Sequence, residues 1–145
     1  MIAFERILQR QLEDIGRIAR EVDDPAEALA AILRHHLAFT LEAGDDLAAW
    51  KQEFRNLPGE DAWRLRRMQR LYVEEWVNVV ARMRTDLSDG EARAAVHAIM
   101  ALLQSAAARR SGLPPDEVAE VLCGMALAAL CGPNRGPSAS DPLLT

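Results

Sequence analysis

Apolar side chains recur every three or four positions along most of the chain, and nowhere do they alternate with the period of two that a half-buried strand requires. The longest uninterrupted stretch, residues 59–84, has no internal Gly or Pro and carries Leu65, Met68, Tyr72, Trp76, Val79 and Met83 on one helical stripe. A second stripe through Leu71, Val73, Val77 and Val80 makes its C-terminal half apolar almost all round. Arg64, Arg66, Arg67 and Arg70 give its N-terminal half a solvated face. At about 1.5 Å per residue this helix would run roughly 40 Å, which predicts a central strut for the domain.

The remaining segments fall in order around it. Residues 2–22 read as a first helix with Phe4, Leu8, Leu12, Ile15, Ala19 and Val22 on one face. Asp24-Pro25-Ala26-Glu27 combines an N-cap residue, a proline at the first helical position and a capping-box carboxylate. The second helix carries Leu29, Ile32, Leu33, His36, Leu37 and Thr40 inward and stops at Gly44. A short third helix opens at Asp45-Asp46, holds Leu47, Trp50 and Phe54 in register, and closes at Asn56-Leu57-Pro58. Ser88-Asp89-Gly90-Glu91 is a second capping box, opening a helix to about Arg109 with Val96, Ile99, Met100, Leu103 and Ala107 on its face. After the turn Ser111-Gly112-Leu113-Pro114-Pro115, Asp116 and Glu117 favour the start of a last helix to about Cys131, showing Val118, Val121, Leu122, Met125 and Ala129. Residues 132–145 are rich in Gly, Pro and Ser and are expected to be disordered, leaving 1–131 as one domain. The pattern as a whole predicts an all-α antiparallel bundle of about six helices.

Composition narrows the function classes. With 17 Lys and Arg against 22 Asp and Glu, the formal charge of −5 argues against a nucleic-acid-binding face on this chain taken alone. Cys123 and Cys131 stand eight apart in one predicted helix, about 12 Å of rise, too far to bridge. Their small apolar neighbours suit buried, reduced thiols of a cytoplasmic protein. No apolar run approaches a membrane span, and the opening residues lack a signal-peptide core. Catalytic patterns are missing too. None of His35, His36 and His97 follows a Glu by three positions, and there is no His-Glu-x-x-His, Cys-x-x-Cys, phosphate loop or Gly-x-Ser-x-Gly. Glu74 and Glu75 point about 100° apart on a helix and are better read as ion-pair partners for neighbouring arginines. We expect no enzyme, no metal site and no cofactor.

The last two helices are alanine-rich with narrow apolar stripes, a pattern that permits close approach over a flat surface. They can close the domain's own core or pack on a symmetry mate as a two-fold four-helix bundle. At this point three phrases carry a likeness. Trp50-Lys51-Gln52-Glu53-Phe54-Arg55-Asn56-Leu57-Pro58, the strut with Arg66-Arg67-Met68-Gln69-Arg70-Leu71-Tyr72-Val73 and Trp76, and residues 94–105 followed by 125–130 resemble the sixth to ninth helices of TetR-family transcriptional regulators. The likeness extends over about residues 2–131, the regulatory C-terminal domain. The family's DNA-reading helix-turn-helix has no counterpart in this sequence, and Ile2-Ala3-Phe4-Glu5 looks like the start of the helix that links the two parts.

The resemblance implies a homodimer through the last two helices, built on Val96, Ile99, Met100, Leu103, Val118, Val121, Leu122, Met125 and Ala129. It also implies a small-molecule pocket inside each subunit, whose ligand shifts the first helix and releases operator DNA, repression being the family's common mode. DNA would be a partner only through the N-terminal unit. Polar or aromatic candidates for the pocket are His36, Phe39, Thr40, Trp50, Phe54, Tyr72, Trp76, Met83, Met100 and Gln104. For Trp50, Phe54, Trp76 and the methionines, ordinary core packing is the stronger reading, whereas Tyr72 and Gln104 need partners if buried. Arg64 and Arg67 are weaker candidates for an anionic group. The apolar lining suggests a hydrophobic or acyl-like effector. The alternative is a stand-alone helical dimerisation or protein-interaction module that takes no ligand.

Overall fold

The computed structural model describes residues 2–108 and 112–132, and these form five helices: α1 Ile2–Glu21, α2 Pro25–Arg55, α3 Gly59–Met83, α4 Asp89–Ala108 and α5 Pro115–Cys131. Five rather than six arise because the two expected helices abut at Gly44 with no intervening loop, although the backbone there leaves helical geometry at φ 46°, ψ −119°. The break therefore falls at the expected residue, as a kink inside α2. The segment 133–145, expected to be disordered, lies outside the described residues.

The local start signals divide. Ser88 and Glu91 form a reciprocal box: the Ser88 N–H donates to Glu91 Oε2 at 2.8 Å and the Glu91 N–H donates to Ser88 Oγ at 3.2 Å. Asp24 occupies the N-cap position of α2, but its carboxylate makes no cap hydrogen bond, so Pro25 and the first-turn Glu27 carry that start.

The centre of the bundle is α2, not α3. Helix α2 packs against all four other helices, while α3 packs on α1, α2 and α4. The reason lies in face width. Helix α2 buries Ala28, Leu29, Ile32, Leu33, His36, Leu37 and Thr40, two adjacent stripes that give it neighbours on several sides. Helix α3 spends one side of its first half on arginines, and Leu71, read as apolar core, shares an outward stripe with Trp63 and Arg67 and is 44% exposed. Below that half the core closes through Trp76, Val77, Val79 and Val80 of α3 against Ile15, Val96, Leu103, Cys123, Ala126 and Leu130.

Helix α4 requires a correction. Val96 and Leu103 are fully buried, and Ile99 and Met100 nearly so, within this one chain. They face the subunit's own core and have no surface to offer a second copy. A helical stripe reveals which side is apolar, not whether the burying partner is the same molecule. Among the outward residues of α4 are the small side chains Ala94, Ala98 and Ala101, beside the larger His97 and Gln104 that line the cavity. On α5 the expected face does look outward: Val121 and Met125 are 51% and 55% exposed, Ala129 is exposed, and Val118 and Leu122 are half-buried.

The C-terminal end of α3 ties down two other helix ends. Arg82 donates to the carbonyls of Ala19 and Asp23, at 3.3 and 2.9 Å, where α1 finishes. Arg84 donates to the Leu130 carbonyl at 2.9 Å and to that of Gly132, closing α5, and is itself gripped by Asp86 at 2.7 and 2.8 Å. Both arginines satisfy carbonyls that a helix cannot satisfy internally. Cys123 is buried, but Cys131 is exposed, contrary to expectation, because it is the last residue of α5, where fewer helices cover it. Glu74 pairs with Arg93 as expected of it, whereas Glu75 forms no ion pair among the described residues.

Candidate ligand-binding site

Where α1, the middle of α2, the first half of α3 and α4 diverge, they enclose a cavity of about 630 Å³, within the ~300–1,000 Å³ range of small-molecule sites. Each helix presents a different wall. Helix α1 supplies Phe4, Leu8 and Gln11; α2 supplies His36, Phe39 and Thr40 and, past the kink, Leu47 and Lys51. Helix α3 gives Arg66, Met68, Gln69, Arg70, Tyr72, Val73 and Glu74, and α4 gives Arg93, His97, Met100 and Gln104.

The inner end is polar but uncharged. His36 Nδ1 and the Tyr72 hydroxyl are 2.7 Å apart, and Thr40 donates its hydroxyl to the His36 carbonyl at 2.9 Å. Burial, reinforced by the nearby His35, lowers the His36 pKa from 6.5 to about 4, so the ring is neutral at pH 7. Burial also raises the Tyr72 pKa, and the phenol keeps its proton. Two buried polar atoms on cavity-lining side chains, His36 Nε2 and Gln11 Oε1, have no hydrogen-bond partner among the described residues. Leaving such groups unpaired costs about 1–3 kcal/mol each, and a bound molecule with hydrogen-bonding groups would recover that cost.

Of the ten sequence-derived candidates, the structure brings His36, Phe39, Thr40, Tyr72, Met100 and Gln104 together around this cavity. Trp50 and Phe54 instead line a smaller neighbouring recess of about 210 Å³ that shares Phe4, Lys51 and Gln69 with the main one. Trp50 lies 5.0 Å from the Phe4 ring and stacks on Phe39 at 6.4 Å. Trp76 is core: it is fully buried and meets His36 edge-on at 5.3 Å without lining the cavity. Met83 lies at the far end of α3, its Sδ 3.8 Å from Cys131 Sγ, and takes no part.

Several lining residues escaped the sequence reading. Phe4 and Leu8 were visible on α1's stripe but indistinguishable from ordinary core. Arg64 and Arg67, the weaker candidates for an anionic group, lie outside the cavity. Arg64 is occupied by Asp61 at 2.5 Å and Glu5 at 3.7 Å, and Arg67 lies over the exposed Trp63 ring. It is Arg66 and Arg70 that reach the cavity. Among the described residues no three His, Cys, Asp or Glu side chains gather to hold a metal, and no helix is long and apolar enough to cross a membrane.

A helical bundle opened around a mostly apolar chamber, with neutral polar atoms at its inner end, has the build of a ligand-binding regulatory domain. A profile of the family described as Tetracyclin repressor-like, C-terminal domain matches residues 22–130, and the chain belongs to that family. The match takes in α2, α3, α4 and nearly all of α5, leaving α1 outside it. No curated protein matches the sequence. The chain is thus the regulatory domain of a TetR-like transcriptional regulator.

Proposed function

We propose that the cavity binds a small, largely hydrophobic effector and that the domain transmits its occupancy to DNA as part of a cytoplasmic, homodimeric repressor. The observation that carries this reading is the cavity itself: four helices line it, and two of its buried polar atoms have no partner within the described chain. Helix α1 is the output. Its C-terminal half is fixed by Ile15 in the core and by the Arg82 hydrogen bonds, whereas its N-terminal half lies over the cavity through Phe4, Leu8 and Gln11. A ligand under the N-terminal half acts on the end of α1 held by the Phe4–Trp50 ring contact and the Glu5–Arg64 ion pair, while the other end is pinned in the core. To release DNA it must bind the displaced arrangement more tightly than the resting one, since only that difference shifts the population. The surface of α5 around Val121 and Met125, flanked by the exposed alanines of α4, is the dimer face in this reading.

The test is a thermal-shift screen of apolar small molecules against the wild-type chain and a cavity-filled Val73→Trp variant. A ligand at a hundredfold excess over its Kd adds about 2.7 kcal/mol, roughly 5–10 °C for a domain of this size. Effectors should raise the wild-type Tm saturably and lose that effect in the variant. A screen in which every active compound stabilises both chains equally, or in which none acts, defeats the reading.

A further inference from the structure

The charges around the cavity opening are distributed against the trend of the whole molecule. The chain carries a net −5, yet the cavity is lined by four permanent cations, Lys51, Arg66, Arg70 and Arg93, and a single carboxylate, Glu74. That carboxylate is already taken by Arg93. The same ion pair sets the register of α3 against α4. Toward the N-terminus of α3 from Glu74, Arg70 and Arg66 follow at four-residue steps; from Arg93 along the antiparallel α4, His97 comes next and Gln104 beyond it. Residues four apart share one side of a helix, so Arg66, Arg70 and Glu74 form a strip of about 12 Å along one side of α3, the side that lines the cavity. The Lys51 ammonium reaches across from α2 to Gln104 Oε1 at 3.5 Å, at the other end of that strip.

Between these two crosslinks the cations are uncompensated. Arg70 makes no ion pair or hydrogen bond among the described residues. Arg66 has no acidic partner there, and its guanidinium rests over the Phe54 ring at 5.8 Å. Lys51 meets only a neutral amide. Other arginines of the same segment are provided for: Arg64 has carboxylates, Arg82 and Arg84 have helix-end carbonyls. Chemistry therefore differs along the cavity's length. Its inner end is neutral, its walls are apolar, and its rim is a concave cationic strip, where a low-dielectric wall concentrates the field. An ammonium group would find no available carboxylate anywhere in it.

Resting on the effector-site reading, we propose that the ligand is an amphipathic anion, with an apolar body inside the cavity and a carboxylate or phosphate head held at the rim by Arg66 and Arg70, assisted by Lys51. Arginine forks suit either head group, because both present paired oxygens to two N–H donors.

The experiment titrates four ten-carbon probes by calorimetry: decanoate, decyl phosphate, decan-1-ol and decylamine. Three chains are compared: wild type, the Arg66→Gln/Arg70→Gln variant, and Arg64→Gln/Arg67→Gln, which removes the same charge from the same helix outside the cavity. The two anions should bind wild type at least about tenfold more tightly than the alcohol, with the amine weakest. Arg66→Gln/Arg70→Gln should bring the anions down to the alcohol's affinity while leaving the alcohol unchanged, and Arg64→Gln/Arg67→Gln should retain the preference. A stronger response to decyl phosphate than to decanoate identifies a phosphorylated or phosphate-bearing ligand; the reverse identifies a free acid. Equal affinity for alcohol and anions, or a preference that survives loss of Arg66 and Arg70, overturns the inference and leaves the cavity reading standing. If no probe binds while the thermal screen yields neutral ligands, the inference alone fails. If neither finds a ligand, both fail.

Discussion

Protonating His36 should cost the fold a measurable amount, and the amount can be worked from its surroundings. The ring is 8% exposed, lies 2.7 Å from the Tyr72 hydroxyl through Nδ1, and abuts the Trp76 ring edge-on. Burial first, and the neighbouring His35 second, lower its pKa from 6.5 to about 4. Unfolding returns the side chain to its ordinary value. Between those two pH values the unfolded chain therefore binds a proton that the folded chain refuses, and stability falls as the pH is lowered through that window. Above pH 6.5 the group exerts no pH dependence, and below about 4 its effect levels off. The full loss is about 3 kcal/mol, reached at up to about 1.4 kcal/mol per pH unit. The assay is urea unfolding followed by far-UV circular dichroism at pH 7, 6, 5 and 4.5, at one protein concentration, on wild type and His36→Gln. Glutamine can still accept from Tyr72 but gains no proton. Carboxylates that titrate at the acid end are common to both chains and cancel in the difference. The wild type should lose roughly 2–3 kcal/mol more than the variant across the series. A difference that stays constant with pH would refute the assignment of His36 as a buried neutral ring.

Two further outcomes follow from the backbone and the surface. Gly44→Ala should destabilise by about 1–3 kcal/mol through backbone strain alone, since an added Cβ at φ 46° meets nothing within 4 Å. Gly59→Ala, equally free of neighbours but at an ordinary φ, is the control, and equal urea midpoints for the two variants would remove the strain argument. Val121→Glu/Met125→Glu should convert a particle of twice 16.0 kDa into one of 16.0 kDa by light scattering with helicity unchanged, because both side chains are more than half exposed and their loss leaves the core intact. A mutant that keeps the dimer mass rules out this face of α5.

Local features were legible in the sequence because their causes are local. The Ser88–Glu91 box, the break at Gly44 and the limits of α3 depend on residues within a turn of one another, and each lies where the pattern puts it. Placement between helices has no such local cause. His36 and Tyr72 are 36 positions apart, and their contact follows only from how α2 crosses α3. The same holds for the cavity arginines: a rotation of one residue separates Arg67, over Trp63, from Arg66, over Phe54, and the spacing of arginines cannot say which side lines the cavity. The burial of Val96 and Leu103 inside the subunit shows the same limit for an amphipathic stripe. Likewise α3, the longest uninterrupted pattern, gave way to α2 as the hub, because width of apolar face rather than length decides how many neighbours a helix can hold.

The kink in α2 also divides that helix by role. Every fully buried residue of that helix, from Ala28 to Thr40, precedes Gly44, and none follows it. The stretch beyond, 45–55, holds Leu47 and Lys51 against the cavity and Trp50 and Phe54 in the adjoining recess, yet contributes nothing to the sealed interior. Changes at Leu47 and Lys51 alter what the chamber meets without touching the buried core of α2, whereas Trp50 also packs on Phe4 and Phe39 and Phe54 lies under Arg66. Gly44 is thus the seam between a core-forming half of α2 and a half whose side chains shape the chamber.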